Sequence, residues 1–187
     1  MEDKQLPPGQ RKARSIPLRH IGEIPRVSAE TWRLEVYGEV EALKVFSFED
    51  LRRMPSVVVV SDFHCVEGWS LLDNKWEGAP FKAIMDAVKP KATAKYVSFE
   101  CYDGYTTSLP LSELLKENVI LAYKLNDEPL PLERGGPVRL IVPHKYAYKS
   151  PMWLRKAKFT SVRELGYWEM RGYSDTADPW KEDRRAE

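Results

Sequence analysis

The sequence predicts an α+β fold, a mixed and largely antiparallel β-sheet core with short helices. Three observations carry this: short apolar runs rich in Val, Tyr, Phe and Leu recur along the chain, the helical stretches between them are brief, and the two do not alternate as regular βαβ units. At 187 residues the chain suits a single core. The expected organisation is an extended N-terminal arm over residues 1–18 and one domain over 19–187, closed by a C-terminal segment that wraps the surface.

The elements follow in order. Pro7, Pro8, Gly9 and Pro17 deny the arm a helix, and it carries almost no apolar payload. "WRLEVYGEV" (32–40) alternates apolar and polar residues through Trp32, Leu34 and Val36 and turns at Gly38, so it reads as a strand. "LKVFSFEDLRRM" reads as a second strand running into a short helix near Ser47, with Glu49 and Asp50 in its first turn. Val57 to Val60 read as a continuous, buried apolar strand, and "WEGAPFKAIMDAV" opens a helix at Pro80. "AKYVSFECYDGYTTSLPL" predicts two strands joined through Asp103-Gly104, and "LSELLKEN" a helix of about two turns. "VILAYKLNDEPL", "GPVRLIVP" and "WLRKAKFTSV" supply three further strands. The aromatics of "GYWEMRGYSDTADPWKEDRR" are too many for a disordered tail, which is why this segment is expected to pack over the domain.

Twenty-nine basic residues stand against twenty-eight acidic ones, so no overall field favours nucleic acid or an anionic membrane. No stretch is apolar enough for a signal peptide or a membrane span. Two cysteines do not make a disulfide framework in a chain of this size; free thiols in a reducing, cytoplasmic setting are expected.

Cys65 stands in "SDFHCVEGWS", past the β-branched run, among turn-forming and polar residues where a sulfur can face a cavity. A buried, inert cysteine is the bland alternative. His64 is adjacent, and neighbours on an extended chain point to opposite faces, so the two are not read as a catalytic pair. His20 and His144 show no orienting carboxylate nearby in sequence, which argues against a thiol hydrolase. The scattered Cys and His residues lack the paired spacing of a zinc site, but one thiolate suffices where a bulky cofactor brings the other ligands. In "LERGGPVRLIVPHKYAYKSPMWL" Arg134 and Arg139 flank Gly135-Gly136-Pro137, and Lys149 and Ser150 follow the strand. Glycines allow close approach of backbone to a ligand, and these donors suit a phosphate or a heteroaromatic edge; a turn and strand with solvated cations is the alternative. Neither a Walker loop nor GxGxxG is present.

Taken together, "FHCVEGWS", "WEGAPF", "AKYVSFECYDGYTTSLPL", "LAYKLNDEPLP", "GGPVRLIVPHKYAYKSPMWL" and "YWEMRGYSDTADPW" resemble, in order, the sulfite-oxidase-like molybdopterin-binding oxidoreductases. The resemblance covers nearly the whole chain from about Leu18 and is strongest to short prokaryotic members built of this domain alone. It implies a molybdenum ion held by the dithiolene of one pyranopterin and by a low-pKa thiolate, Cys65. It places Arg134, Arg139, Cys101, Lys149, Ser150, Pro151 and Met152 on the cofactor, with Arg19 and His20 where the arm meets the pterin. Arg134 also stands where it would assist the substrate.

The resemblance further implies two-electron oxygen-atom transfer on a small oxyanion, S-oxide or N-oxide, with electrons exchanged with a separate partner. Sulfite oxidases follow the ligand cysteine with Asn-Arg-Arg, whereas Val66-Glu67-Gly68-Trp69 stands here, closer to the methionine-sulfoxide-reductase branch. Cys101 stands where that branch commonly has threonine. The alternative is a non-catalytic molybdopterin-binding or interaction module.

Overall fold

In a computed structural model, which describes residues 4–186, the chain folds as two sheets packed around one principal core. The sequence led to one sheet; the strands divide between two. The first sheet contains β1 (Arg11–Lys12), β4 (Val57–Cys65), β5 (Trp69–Pro80), β8 (Ile120–Leu125), β9 (Glu128–Pro129) and β10 (Arg139–Ile141). The second runs β3 (Lys44–Ser47), β2 (Arg33–Gly38), β11 (Leu154–Thr160), β6 (Tyr96–Cys101), β7 (Thr106–Pro110). Among the described residues only β1 with β5 and β11 with β2 pair in parallel; the other pairs are antiparallel.

The helices are short, as expected. α1 (Phe48–Arg53) starts from a capping box in which the Ser47 hydroxyl accepts from the Asp50 amide and the Asp50 carboxylate answers the Ser47 amide. α2 (Phe81–Val88) follows Pro80 and buries Phe81, Ile84, Met85 and Val88 on one face. α3 spans only Leu111–Leu114, less than the two turns read from "LSELLKEN", because the chain leaves helical geometry before Val119 joins the core.

The principal core lies between the sheets: Leu34, Val36, Phe99 and Phe159 from one side meet Leu121, Tyr123 and Leu140 from the other, with Trp32, Phe81 and Trp153 filling the ends. The period-two alternation of strands sends every second residue of the first sheet the other way. Ile120, Ala122, Ile141 and Trp76 face outward into a second, smaller cluster that also holds Ile16, Phe63, Cys65 and Trp69. The arm and the C-terminal segment roof this outer face.

Two expectations change here. Val57 to Val60 belong to an edge strand with one face in solvent, Val58 being 52% and Val60 62% exposed. The strand between Trp69 and Pro80, the longest of the fold, escaped the sequence reading: its register shifts at Glu77/Gly78, and Asp73 and Asn74 break the apolar alternation. In the arm, which has no helix among its described residues, β1 docks on Trp69 and Ser70 and Ile16 is buried. Residues 1–3 of the arm and residue 187 of the domain lie outside the described residues.

Candidate functional site

β4 delivers Cys65. Its pairing with β5 slips between Ser61 and Phe63, and beyond the slip Phe63, His64 and Cys65 are all buried, whereas the valines before it alternate in and out. Cys65 is therefore the last residue of a strand rather than a loop residue, paired across a tight turn with Trp69. Gly68 closes that turn at φ +92°, a conformation costly for any residue with a Cβ, and its amide donates to the Cys65 carbonyl at 3.0 Å. Burial pushes the Cys65 thiol up to about 11. The low-pKa thiolate expected from the resemblance is thus not made by the protein's own charges; a metal ion would have to displace the proton.

The opposite wall is built from residues 134–139 and 150–152. Gly135, at φ +99°, lies so close to Met152 that a Cβ would meet its side chain at 2.8 Å, and the two segments run side by side through Trp153 N–H to Gly135 O at 3.1 Å and Leu140 N–H to Pro151 O at 3.1 Å. On β10, Leu140 points into the principal core, so Arg139 and Ile141 point to the outer face. The Arg139 guanidinium is buried at 5.1 Å from the Phe63 ring and 5.8 Å from that of Trp76, and donates to the carbonyls of Arg134 at 3.0 Å and Ser150 at 2.6 Å. Its Nε has no partner, and no carboxylate pairs with it among the described residues. Burial lowers its pKa to about 10. The Ser150 hydroxyl is occupied, accepting from the Val142 amide at 2.9 Å.

Between these walls is a cavity of about 200 Å³. Arm residues Ile16 to Ile21 cross it, held by a hydrogen bond from Arg134 Nη1 to the Ile16 carbonyl and by an ion pair of Arg19 with Glu67 at 2.9 Å. The far side is aromatic: Tyr105, Tyr148, Trp168 and Tyr173. Tyr105 donates to the Tyr148 carbonyl at 2.5 Å, and Trp168 and Tyr173 meet edge to face at 5.3 Å. Asp103 adds a carboxyl whose pKa burial raises.

Of the residues singled out in the sequence, Cys65, Arg19, His20, Arg134, Arg139, Ser150, Pro151 and Met152 line this one cavity. Cys101 and Lys149 do not. Cys101 is buried in β6 behind the wall, its thiol pushed well up by burial. Lys149 is wholly buried in an ion cluster, its ammonium 2.5 Å from Glu169, 2.9 Å from Asp175 and 3.0 Å from the Ser108 carbonyl. All three of its donors are spent within the protein. His64 is bonded to the Ser70 hydroxyl at 2.7 Å, away from any pairing with Cys65. His144 does have a carboxylate, Glu113, 2.5 Å from its Nε2, contrary to the sequence reading; neither residue lines the cavity. The aromatic wall went unassigned in the sequence, although the aromatic content of residues 166–185 was a visible signal for Trp168 and Tyr173; Tyr105 and Tyr148 carried none.

Among the described residues no three His, Cys, Asp or Glu side chains gather to hold a metal. A metal at Cys65 therefore needs ligands that the protein does not supply, and a buried, carboxylate-free guanidinium facing the cavity needs an anion. An anionic dithiolene-bearing pterin answers both requirements, so the residues present fit the group that the resemblance implies.

The two mostly antiparallel sheets with few short helices make an α+β domain of the sulfite-oxidase fold. The sulfane dehydrogenase SoxCD of Paracoccus pantotrophus shares the fold, with a TM-score of 0.72 and 24% identity over 77% of this chain and 42% of that one. The oxidoreductase molybdopterin-binding domain family matches residues 21–168, and the chain belongs to that family. It is 41% identical to the oxidoreductase YuiH of Bacillus subtilis over 181 residues, 96% of this chain and 91% of that protein. It is 36% identical to the putative protein-methionine-sulfoxide reductase subunit YedZ1 of Azospira oryzae, and 28% identical to the protein-methionine-sulfoxide reductase catalytic subunit MsrP of Ralstonia nicotianae. These matches take in 81% and 84% of this chain but only 58% and 51% of the respective relatives. Among the described residues no helix is long and apolar enough to cross a membrane.

Proposed function

We propose that the chain is a molybdenum-pterin oxidoreductase that reduces a neutral or singly charged S-oxide or N-oxide, taking electrons from a separate redox partner. The single observation that carries the reading is Arg139, a buried cation without a carboxylate, set in the same cavity as Cys65. Bound molybdenum-pterin would supply the two-electron couple and the acceptor for the transferred oxygen. Cys65 would ligate the metal, Arg139 and Arg134 would donate to the anionic or heteroaromatic edges of the cofactor, and residues 150–152 with Arg19 and His20 would border it.

Reduction of an S-oxide consumes two electrons and two protons and releases the sulfide and water. Asp103, a carboxyl on the cavity wall whose pKa burial raises, would relay a proton. Tyr105, Tyr148, Trp168 and Tyr173 line the cavity and would give a polarised sulfur an aromatic surface to rest on. Near Cys65 the side chain at the mouth is Glu67, already paired with Arg19, so no free cation follows the cysteine to stabilise a dianion. Desolvating sulfite there would lack paired charge. The names of the methionine-sulfoxide reductase relatives support the same direction.

The test has two parts: molybdenum and pterin content of protein from molybdate-replete cells, then turnover with a one-electron dye, reducing sulfoxides and N-oxides or oxidising sulfite. Near-stoichiometric molybdenum with faster sulfoxide reduction is expected. Efficient sulfite oxidation with a micromolar KM would return the chain to the sulfite oxidases. Protein that lacks molybdenum from a host able to make the cofactor would remove the enzymatic reading altogether.

A further inference from the structure

The turn that follows Cys65 is held from outside, and by both ends of the chain. Three of its carbonyls are taken. The Cys65 carbonyl accepts from Gln10 Nε2 at 3.0 Å, in addition to the Gly68 amide. The Gly68 carbonyl accepts from the Arg11 amide at 3.0 Å. The Val66 carbonyl accepts from Nη1 of Arg184, 118 residues away in the C-terminal segment.

Arg184 does more than reach the turn. Its Nη2 donates to the Gly9 carbonyl at 3.3 Å, its Nε lies 3.3 Å from Glu182, and its guanidinium stands 5.5 Å from the Tyr146 ring. One planar group thus ties together the cysteine turn, the N-terminal arm and the loop that leads to Ser150. Gly9 makes the approach feasible: at φ +67° a Cβ there would fall 2.6 Å from Glu182 and 2.7 Å from Arg184. The side chain is 24% exposed, so its fork is pinned rather than free in solvent.

We propose that Arg184 is a positioning residue for Cys65: by fixing the Val66 carbonyl it holds the turn, and with it the direction of the sulfur into the cavity. The guanidinium spans the Val66 and Gly9 carbonyls from two nitrogens of one rigid fork, which the single ammonium of a lysine does not reproduce. That the held sulfur meets a metal rests on the function proposed above; that it is held does not.

The experiment reads the sulfur directly. The full-length chain is produced without molybdate, and alkylation of Cys65 by iodoacetamide is timed by peptide mass spectrometry, with the buried Cys101 as internal reference. Arg184→Ala should raise the Cys65 rate about tenfold and leave the Cys101 rate and the melting temperature nearly unchanged; Arg184→Lys should fall between; Gln10→Ala should raise it less. An unchanged Cys65 rate in folded Arg184→Ala overturns the proposal. A parallel rise at both cysteines overturns it as well, since Arg184 would then hold the fold and not the turn. Molybdenum content of the same variants from molybdate-fed cells is measured separately, so a failure of the metal assignment is distinguishable from a failure of the clamp.

Discussion

Arg139 and Lys149 come from one stretch of sequence, both are buried, and the resemblance gave both the same role, yet the fold treats them oppositely. Lys149 meets two carboxylates and a carbonyl, with Thr107 adding a hydroxyl to Glu169 at 2.6 Å. Arg139 lines the cavity, meets two carbonyls and two aromatic faces, and keeps a buried Nε without a partner. A buried cation needs a counter-charge. Where the chain brings the carboxylates, the cation belongs to the architecture. Where it brings none, the function proposed above assigns the counter-charge to a ligand.

The largest effect expected from this difference is on stability. Lys149→Met leaves Glu169 and Asp175 without their buried partner, and breaking such a pair costs about 3–5 kcal/mol. For a chain of this size each kcal/mol lowers the melting temperature by about 2–4 °C. Calorimetry should therefore show a drop on the order of 10 °C. A variant that keeps its melting temperature while losing molybdenum would break the comparison and put Lys149 with the ligand.

Arg139→Gln should do the reverse. The charge-assisted bonds it would offer a bound anion are worth about 1.5–3 kcal/mol, so retention of molybdenum and pterin should fall by about one to two orders of magnitude. The melting temperature of chain made without molybdate should change little, because the buried charge that is lost had no carboxylate to lose. Cofactor content measured after dialysis, beside that melting temperature, decides it. Unchanged content would make Arg139 a buried structural cation like Lys149.

The sequence made this cation pair visible as chemistry but not as opposites. The turn glycines and the β10 strand could be read locally, because each depends on a few neighbouring residues. The partners of Lys149 lie 20 and 26 residues downstream in the wrapping segment, and nothing in "YWEMRGYSD" marks Glu169 or Asp175 as buried. Likewise the carboxylate of His144 comes from α3, 31 residues upstream. β5 was missed because a strand wedged between β4 on one side and β1 and β8 on the other needs no clean alternation: its burial is set by neighbours, as at Asn74, which is buried and donates to the carbonyls of Ser61 and Leu71. Val57 to Val60 failed in the other direction, since a β-branched run reads the same at an open edge as in a core.

A third basic group sharpens the rule by standing between the extremes. Glu113 serves Lys116 at 2.7 Å, His144 at 2.5 Å and Lys145 at 3.8 Å, a single carboxylate shared among an exposed lysine, a half-buried histidine and a buried lysine outside the cavity. Burial alone would raise the Glu113 carboxyl, but Lys116, Lys145 and His144 together hold it below the ordinary 4.5. Its contribution to stability is therefore present above pH 4.5 and is lost as the pH falls through its lower folded value. Burial lowers His144 below 6.5 despite Glu113, so the folded chain prefers it neutral and the unfolded chain takes up its proton first; this too costs stability as the pH falls below 6.5. The melting temperature should decline on acidification in two steps, one beginning below 6.5 and one below 4.5. Glu113→Gln should lower stability at neutral pH by about 1 kcal/mol, reduce the lower step, which Glu39, Asp50 and Glu164 share, and leave molybdenum content unchanged. Loss of molybdenum from this variant would show that a shared surface carboxylate reaches the cavity after all, and the counter-charge rule drawn from Arg139 and Lys149 would no longer separate ligand-binding cations from structural ones.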